Sequence, residues 1–335
     1  MAYSDFVAGL SPTVAKYIKT AEETKIVKLP LASYGLTKAL KGGIAKGRIT
    51  LLYGNESSGK SLLMMQSIGL WQKKGIVCAY IDVEGTYDKT FGARLGVNNE
   101  ELILVQKRAS AQIEDAIKPL IHAKIDVIVI DSISDILPEI FLDKSGEMNG
   151  QTDRKQIGAH AKAITALVNG IHYINEETAV VLISQTTTFI GQSYVEQVPH
   201  GGKKVLFNSS TIIKLTSSST ENSQIKGNVY VGDLIFEKPI ARKVDFLIKK
   251  SKLGGAFDKG DWNMYYAGSK VGIDVLAEIV AEAISYKIII QAKSWFKYND
   301  INYQGEDTII EFFKQNPEQL ELVKKQINAI ETGEV

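Results

Sequence analysis

"YGNESSGKSLLM", residues 53–64, decides the fold. It stands between the apolar run "RITLLYG" and the helical "KSLLMMQSIGLWQKKG", which Gly75 closes. Gly54 to Ser61 fits G-x-x-x-x-G-K-[ST] in the strand–loop–helix setting that the pattern requires. Its glycines let the backbone bend around an anion, so that N–H groups and the helix N-terminus point at phosphate oxygens. The candidate nucleotide-binding residues are therefore Gly54, Asn55, Glu56, Ser57, Ser58, Gly59, Lys60, Ser61 and Leu62. Lys60 brings a mobile positive charge to the β- and γ-phosphates, and Ser61 a hydroxyl ligand for Mg²⁺. The competing reading is an ordinary glycine-rich β–α turn.

Outward from this loop the pattern is regular. "IVCAYIDVEG", "LILVQ", "DVIVIDS" and "TAVVLISQ" are apolar strands. Helical "DKTFGARLG", "SAQIEDAIKPLIHAK" and "IGAHAKAITALVNGIHYINEE" alternate with them. Such alternation predicts an α/β fold with a mostly parallel central sheet covered by helices on both faces. Before the core, residues 1–36 read as a short helix, "TVAKYIKTAEE", and an extended "KIVKLPLA". Beyond Gln185, "TTTFIGQSYVEQVPHGGKK" keeps no period and is long for a loop. Strands "STIIKLTSSS", "GNVYVGDLIFEK" and "ARKVDFLIKKSK" follow. From about Gly272 a helix, a hairpin in "SWFKYNDINYQG" and two closing helices predict a small α+β domain. The expected division is 1–36, 37–271 and 272–335.

Composition narrows the class. A net charge of +1 over 335 residues excludes a histone-like basic binder but allows local basic patches. The single cysteine, Cys78, can build neither a disulfide framework nor a four-cysteine zinc module, which favours a reducing, cytoplasmic setting. The start "MAYSDFVAGLSP" lacks the form of a secretory signal, and no apolar run is long enough to span a bilayer. The expectation is a soluble chain with no membrane partner.

Several polar residues end apolar strands. Asp131 closes "VIVID", where an acid can hold a water of the Mg²⁺ shell, or it caps the helix start in "SISDIL", a role open equally to Ser132. Asp82 and Glu84 follow another strand in "YIDVEG", and their spacing points both carboxylates to one side if the strand continues. Such a carboxylate can deprotonate an attacking water, or it simply solvates the strand end. Gln185 is either a solvent-facing strand end or an amide switch beside the phosphate. Lys250 and Lys252, in "IKKSK", read in isolation as a solvated edge.

"GNESSGKS", "AYIDVEGTYDKTFGARLGV", "VIVIDSISDI" and "VVLISQ", in this order, resemble the RecA family of homologous-recombination ATPases, cellular and phage-encoded. The likeness extends from about Gly35 into the C-terminal "SWFKYNDINYQGEDTIIEFFKQNPE". It implies a P-loop NTPase core of the RecA type, with ATP and Mg²⁺ as cofactors. Glu84 becomes the water-activating base, and Asp88, Phe91 and Tyr266 become nucleotide-binding residues, with Phe91 in place of the family's usual tyrosine. Gln185 senses the γ-phosphate. Lys250 and Lys252 reach the neighbouring subunit's ATP, as an arginine finger would.

The resemblance also marks two DNA-binding loops, at about 143–157 and 186–202. Their candidate contacts are Arg154, Lys155, Thr186, Thr187, Phe189, Gly191, Tyr194, Gly201, Gly202 and Lys203. The basic residues that many members carry after the glutamine are Thr187 and Phe189 here. The implied function is a DNA-dependent ATPase that forms a helical homo-oligomeric filament on single-stranded DNA and pairs it with homologous duplex DNA. Single-strand-binding or loader proteins are candidate partners. "KIVKLP" could add a strand to a neighbour. The ending "IETGEV", without a long acidic tail, points to a phage or plasmid recombinase. Two rivals share the fold: a ring-forming, helicase-like ATPase, and a non-hydrolysing accessory protein that modulates a recombinase. The C-terminal domain argues against the first, and the intact Lys60, Ser61, Glu84, Asp131 and Gln185 against the second.

Overall fold

A computed structural model describes residues 3–15, 17–22, 24–141, 158–190, 195–217, 224–231, 234–268 and 270–333. Two short helices, α1 (Tyr3–Ala8) and α2 (Pro12–Ala15), come first. The single helix expected over "TVAKYIKTAEE" does not form. α2 buries none of its residues, and a short helix without tertiary packing cannot offset its nucleation cost. Strand β1 (Lys28–Leu29) pairs with β2 (Ile44–Ala45) across α3 (Tyr34–Ala39). The end of "KIVKLP" is thus paired within its own chain, while Ile26 and Val27 stay exposed.

The core alternates as its pattern predicts: β3 (Ile49–Gly54), α4 (Lys60–Gln72), β4 (Cys78–Asp82), α5 (Lys89–Arg94), β5 (Ile103–Val105), α6 (Ser110–His122), β6 (Val127–Asp131), α7 (Ala159–Ile174) and β7 (Ala179–Ile190). After it come β8 (Val195–Pro199), α8 (Gly202–Asn208), β9 (Thr211–Ser217), β10 (Gln224–Val231), β11 (Leu234–Ser251), β12 (Lys259–Tyr265) and β13 (Gly272–Ile273). Strands β9-β3-β7-β6-β4-β5 run parallel. Antiparallel β11, β12 and β13 extend the sheet beyond β9.

Every residue of β3 is buried, as a strand covered on both faces must be. Its period of two serves two cores: Leu52 packs with Leu63, Ile68 and Trp71 of α4, whereas Ile49 and Leu51 pack with Ile113 of α6 and Ile164 of α7. The strand expected over "GNVYVGDLIFEK" divides: Gly227 to Val231 belong to β10, while Leu234 onward runs on into "ARKVDFLIKKSK" as the single strand β11.

A third core gathers α9 (Val275–Ser285), α10 (Glu306–Gln315) and α11 (Pro317–Thr332) around Phe296, Phe313, Val323 and Ile327. The expected hairpin is β15 (Trp295–Tyr298) with β16 (Ile301–Gln304), and β14 (Ile290–Ala292) adds a third strand. α9 is tied to α3 through Glu278. Its carboxylate accepts hydrogen bonds from Ser33 Oγ at 2.6 Å and from the Tyr34 N–H at 3.0 Å.

Burial pushes the Glu278 carboxyl up from an ordinary 4.5 to about 7. The folded state therefore keeps a proton that the unfolded chain has lost, and the stability from Glu278 declines as pH rises between those values. The melting temperature of the wild type relative to Glu278→Gln should fall between about pH 5 and about pH 7.5. A difference that stays constant over that range would show that Glu278 is not the responsible group.

Candidate nucleotide site and DNA-facing loops

The phosphate loop begins where β3 leaves the sheet. A Cβ on Gly54 would lie 2.2 Å from the Leu215 carbonyl oxygen and 2.7 Å from Ser58 Oγ, so no larger residue fits. Ser57 and Gly59 are left-handed, with φ 57° and 87°, and turn the backbone back toward α4. Gly59 is the N-cap of α4, and a Cβ there would meet Met264 Sδ at 2.3 Å. Glu56 and Ser57 are exposed, Ser58 is buried, and the Leu62 side chain belongs to the core. Asn55 donates to the Ser217 carbonyl at 3.3 Å.

Lys60 is buried, and its Nζ donates to the carbonyls of Gly54 at 3.0 Å and Asn55 at 2.8 Å. Burial pulls its pKa down, against the opposing pull of Asp131, Glu84 and Glu56. Facing it, Asp131 ends β6 and is buried as well. Burial raises the Asp131 pKa, while hydrogen bonds from the Ser61 and Tyr80 hydroxyls and the Lys60 charge hold it down. Asp131 does not cap a helix, and Ser132, the residue that precedes the following 3₁₀ turn, makes no side-chain cap there. Among the described residues no group of three His, Cys, Asp or Glu could hold a metal. The available donors are the Ser61 hydroxyl and the Asp131 carboxylate, oxygen ligands that suit Mg²⁺.

Asp82 and Glu84 part company. β4 ends at Asp82, so the alternation that would align them stops there. Asp82 turns inward and accepts from the backbone N–H groups of Gly85 at 2.9 Å, Thr86 at 3.1 Å and Tyr87 at 3.0 Å, and from Gln106. It organises the turn. Glu84 is half-buried, with Ser132 and Asp135 within hydrogen-bonding reach of its carboxyl. Burial, then the charges of Asp131 and Asp135, raise its pKa above the ordinary glutamate value. Arg108 fixes the backbone on either side by donating to the Val83 and Glu84 carbonyls at 3.1 Å and 2.6 Å.

Gln185 lies in register with Gly54, which places it beside the phosphate loop. Its backbone N–H donates to Ser134 Oγ at 2.9 Å, and its side-chain amide has no partner among the described residues. The following stretch is not the structureless loop expected. β7 continues to Ile190 and pairs with β8 as a hairpin, from Thr186 opposite Pro199 to Ile190 opposite Val195. Threonines and aliphatic residues favour that extension over coil. Thr187 is exposed, as are Gly202 and Lys203 at the start of α8. Gly201 is a packing glycine, because a Cβ there would press on Val205 and Ile164 at 2.7 Å and 2.8 Å. Phe189 is a strand residue of the hairpin. Arg154, Lys155, Gly191 and Tyr194, with the stretch 143–157, lie outside the described residues.

Lys250 and Lys252 stand toward the opposite end of the strands from the phosphate loop. Lys250 pairs with Ile212 and Ser251 with Thr211, whereas Gly54 is level with Leu215. The strand between those levels is about 13 Å long, before the loop's own extent is added. Lys250 donates to the Leu206 and Phe207 carbonyls at the end of α8, at 2.7 Å and 3.3 Å, and burial lowers its pKa. Lys252 is exposed.

On the other side of the loop, Asp88 caps α5 through its bonds from the Thr90 and Phe91 N–H groups, and Phe91 is half-buried against the core. Tyr266 lies across from them. Its ring carries the Arg242 guanidinium 4.9 Å from the centroid, and Arg242 also donates to the Ser57 carbonyl at 3.4 Å. The sequence motifs missed Tyr80, Arg108, Ser134, Asp135 and Arg242. None belongs to a spacing pattern, and only the fold brings them to the site.

A profile of the RecA N-terminal domain matches residues 12–269. "Protein RecA" of Fusobacterium nucleatum is 31% identical over 315 residues, covering 92% of this chain and 78% of that protein. "Protein RecA" of Campylobacter lari is 30% identical, covering 88% and 82% respectively. "Protein RecA" of Thermus aquaticus is 29% identical, covering 89% and 84%.

The division between Asp82 and Glu84 is measurable. Asp82→Ala removes a buried acceptor shared by three backbone N–H groups and Gln106, and should lower unfolding stability by about 3 kcal/mol in denaturant titration. Glu84→Gln should cost less than about 1 kcal/mol, as a partly exposed and nearly isosteric change. Equal costs would mean that Glu84 is also a structural residue.

Proposed function

The chain belongs to the RecA family, and we propose how its residues share the work of that family's reaction. It is a DNA-dependent ATPase that forms a helical homo-oligomeric filament on single-stranded DNA and carries out homologous pairing and strand exchange with ATP and Mg²⁺. One observation carries the assignment of roles: the phosphate loop and the paired lysines lie toward opposite ends of neighbouring strands in one sheet. A subunit cannot bring Lys250 or Lys252 to its own phosphate loop, but a head-to-tail neighbour can present them there. A heterologous contact that does not close builds a helical filament.

The loop from Gly54 to Ser61 binds the phosphates, and Lys60 exchanges the Gly54 and Asn55 carbonyls for phosphate oxygens. Ser61, and Asp131 through water, would hold Mg²⁺, which would supply positive charge to the phosphates. Glu84, with its raised pKa, takes a proton from the attacking water. Lys60 and the neighbour's Lys250 and Lys252 stabilise the charge that develops as the γ-phosphoryl group leaves. Phe91 and Tyr266 face the adenine from either side, with Asp88 at its edge.

Gln185 reports the γ-phosphate to the hairpin that follows it. Thr186, Thr187, Phe189, Gly201, Gly202 and Lys203 are its proposed DNA contacts, together with Gly191, Tyr194, Arg154 and Lys155, which lie outside the described residues. No helix among the described residues is long and apolar enough to cross a membrane. The DNA substrates place the proposed reaction in the cytoplasm, where single-strand-binding or loader proteins are its candidate partners.

Mixing tests the arrangement in trans. Glu84→Gln and Lys252→Ala should each lose most DNA-stimulated ATP turnover, about a hundredfold or more for the lost base. Neighbours in a mixed filament complement each other, because one supplies the glutamate and the other the lysine. Partial turnover should therefore return on mixing. Mixtures as inactive as their components would remove the trans contact.

A further inference from the structure

Arg242 is a cation on the outer wall of the phosphate loop that the assigned roles leave unused. It sits on β11 opposite Met264 of β12, the residue whose sulfur lies against Gly59. Its guanidinium is 4.9 Å from the centre of the Tyr266 ring, and Nη1 donates to the Ser57 carbonyl at 3.4 Å. Arg242 is half-buried, and no carboxylate among the described residues pairs with it. A guanidinium has five N–H donors, of which the Ser57 carbonyl takes one.

The surroundings of Tyr266 are firmly built. Its N–H and that of Ala267 donate to the Ile240 carbonyl at 3.0 Å and 3.2 Å. Arg94 of α5 donates to the Gly268 carbonyl at 3.1 Å, which ties this turn to the helix that carries Phe91. Two other pieces complete the wall: the Tyr266 ring and the left-handed peptide at Ser57, whose φ is 57°. Arg242 touches both.

We propose that Arg242 is a nucleotide-positioning residue. It fixes the Tyr266 ring and the Ser57 peptide as one surface and adds positive charge beside a bound nucleoside di- or triphosphate. The proposal rests on the ATP-site reading above. A planar guanidinium serves both contacts at once, with one face on the ring and one edge toward the carbonyl. An ammonium can reproduce the charge over the ring but not that geometry.

The test is the equilibrium affinity for a fluorescent ADP analogue and the steady-state KM for ATP with saturating single-stranded DNA. Arg242→Ala should weaken ADP binding about three- to tenfold, with KM rising in parallel and kcat moving less than KM. Arg242→Lys should recover part of the loss. The double variant Arg242→Ala/Tyr266→Ala should lose less than the product of its single losses, as partners in one contact do. If Arg242→Ala melts early, Arg242→Gln is measured in its place, because it retains size and a donor for Ser57 while losing the charge.

Wild-type affinity and KM in the variant that folds would overturn the proposal, as would full multiplicativity with Tyr266→Ala. A wild-type protein that bound no nucleotide would remove the ATP-site reading itself. Loss confined to the Arg242 arms leaves that reading standing.

Discussion

A buried ammonium faces a buried carboxylate across the end of β3, and the rest of the site is arranged around that pair. Lys60 and Asp131 are each almost closed off from solvent, and each is pushed toward its neutral form by burial. A cation and an anion in such a place cost free energy unless each finds partners. The partners are present: the Gly54 and Asn55 carbonyls for Lys60, and the Tyr80 and Ser61 hydroxyls for Asp131. All of Lys60's carbonyl partners belong to the loop that would hold phosphate. An incoming triphosphate therefore replaces weak neutral acceptors with charged ones, and the lysine is already desolvated when it arrives. The loop is stable without its ligand and has more to gain with it.

The second constraint is the path of β11. This strand runs from Leu234 to Ser251, with Arg242 beside the phosphate loop and Lys250 near the strand's far end. Eight residues of extended chain separate them, about 26 Å. One rigid strand therefore borders its own subunit's nucleotide site at one point and, in the proposed filament, the neighbour's at another. Its pairing with β9 and β12 along that length leaves it little freedom to bend. Position at one site constrains position at the next.

Much of this was legible in the residue pattern, for physical reasons. Fully apolar strands alternating with helices leave few solutions other than a covered parallel sheet, and the phosphate loop announces itself through glycines at fixed intervals. The core elements accordingly fall where the periodicity puts them. The failures occur where packing or pairing overrides local pattern. The helix expected over "TVAKYIKTAEE" finds nothing to cover its apolar residues, and Val14 and Tyr17 stay exposed. The stretch after Gln185 lacked period yet found a partner strand in Val195–Pro199. Asp82 and Glu84 looked equivalent because nothing in "YIDVEG" reveals that the strand ends at Asp82. Arg242 and Tyr80 carry no motif, since what places them is the strand register and not their spacing from the phosphate loop.

The hairpin changes how a signal from the nucleotide would travel. A coil after Gln185 could only be ordered or disordered, whereas a paired strand can move as a unit. Three attachments hold the base of this one. The Gln185 N–H is bonded to Ser134, the N–H of His200 to Ser184 Oγ at 3.0 Å, and Gly201 is wedged against Val205 and Ile164. Ser134 belongs to the 3₁₀ turn that also brings Asp135 to Glu84, so Glu84, the proposed base, and the foot of the hairpin share one support. Beyond the hairpin, α8 ends on Lys250, whose ammonium donates to the Leu206 and Phe207 carbonyls. A shift of the Gln185 amide toward a phosphate would thus pull on a connected series: the 3₁₀ turn, the hairpin, α8, and the lysine offered to the next subunit. DNA gripping the hairpin would act on the same series from its middle. Such an arrangement lets ATP and DNA each bias the other through one moving element, because binding energies linked through a shared state act in both directions.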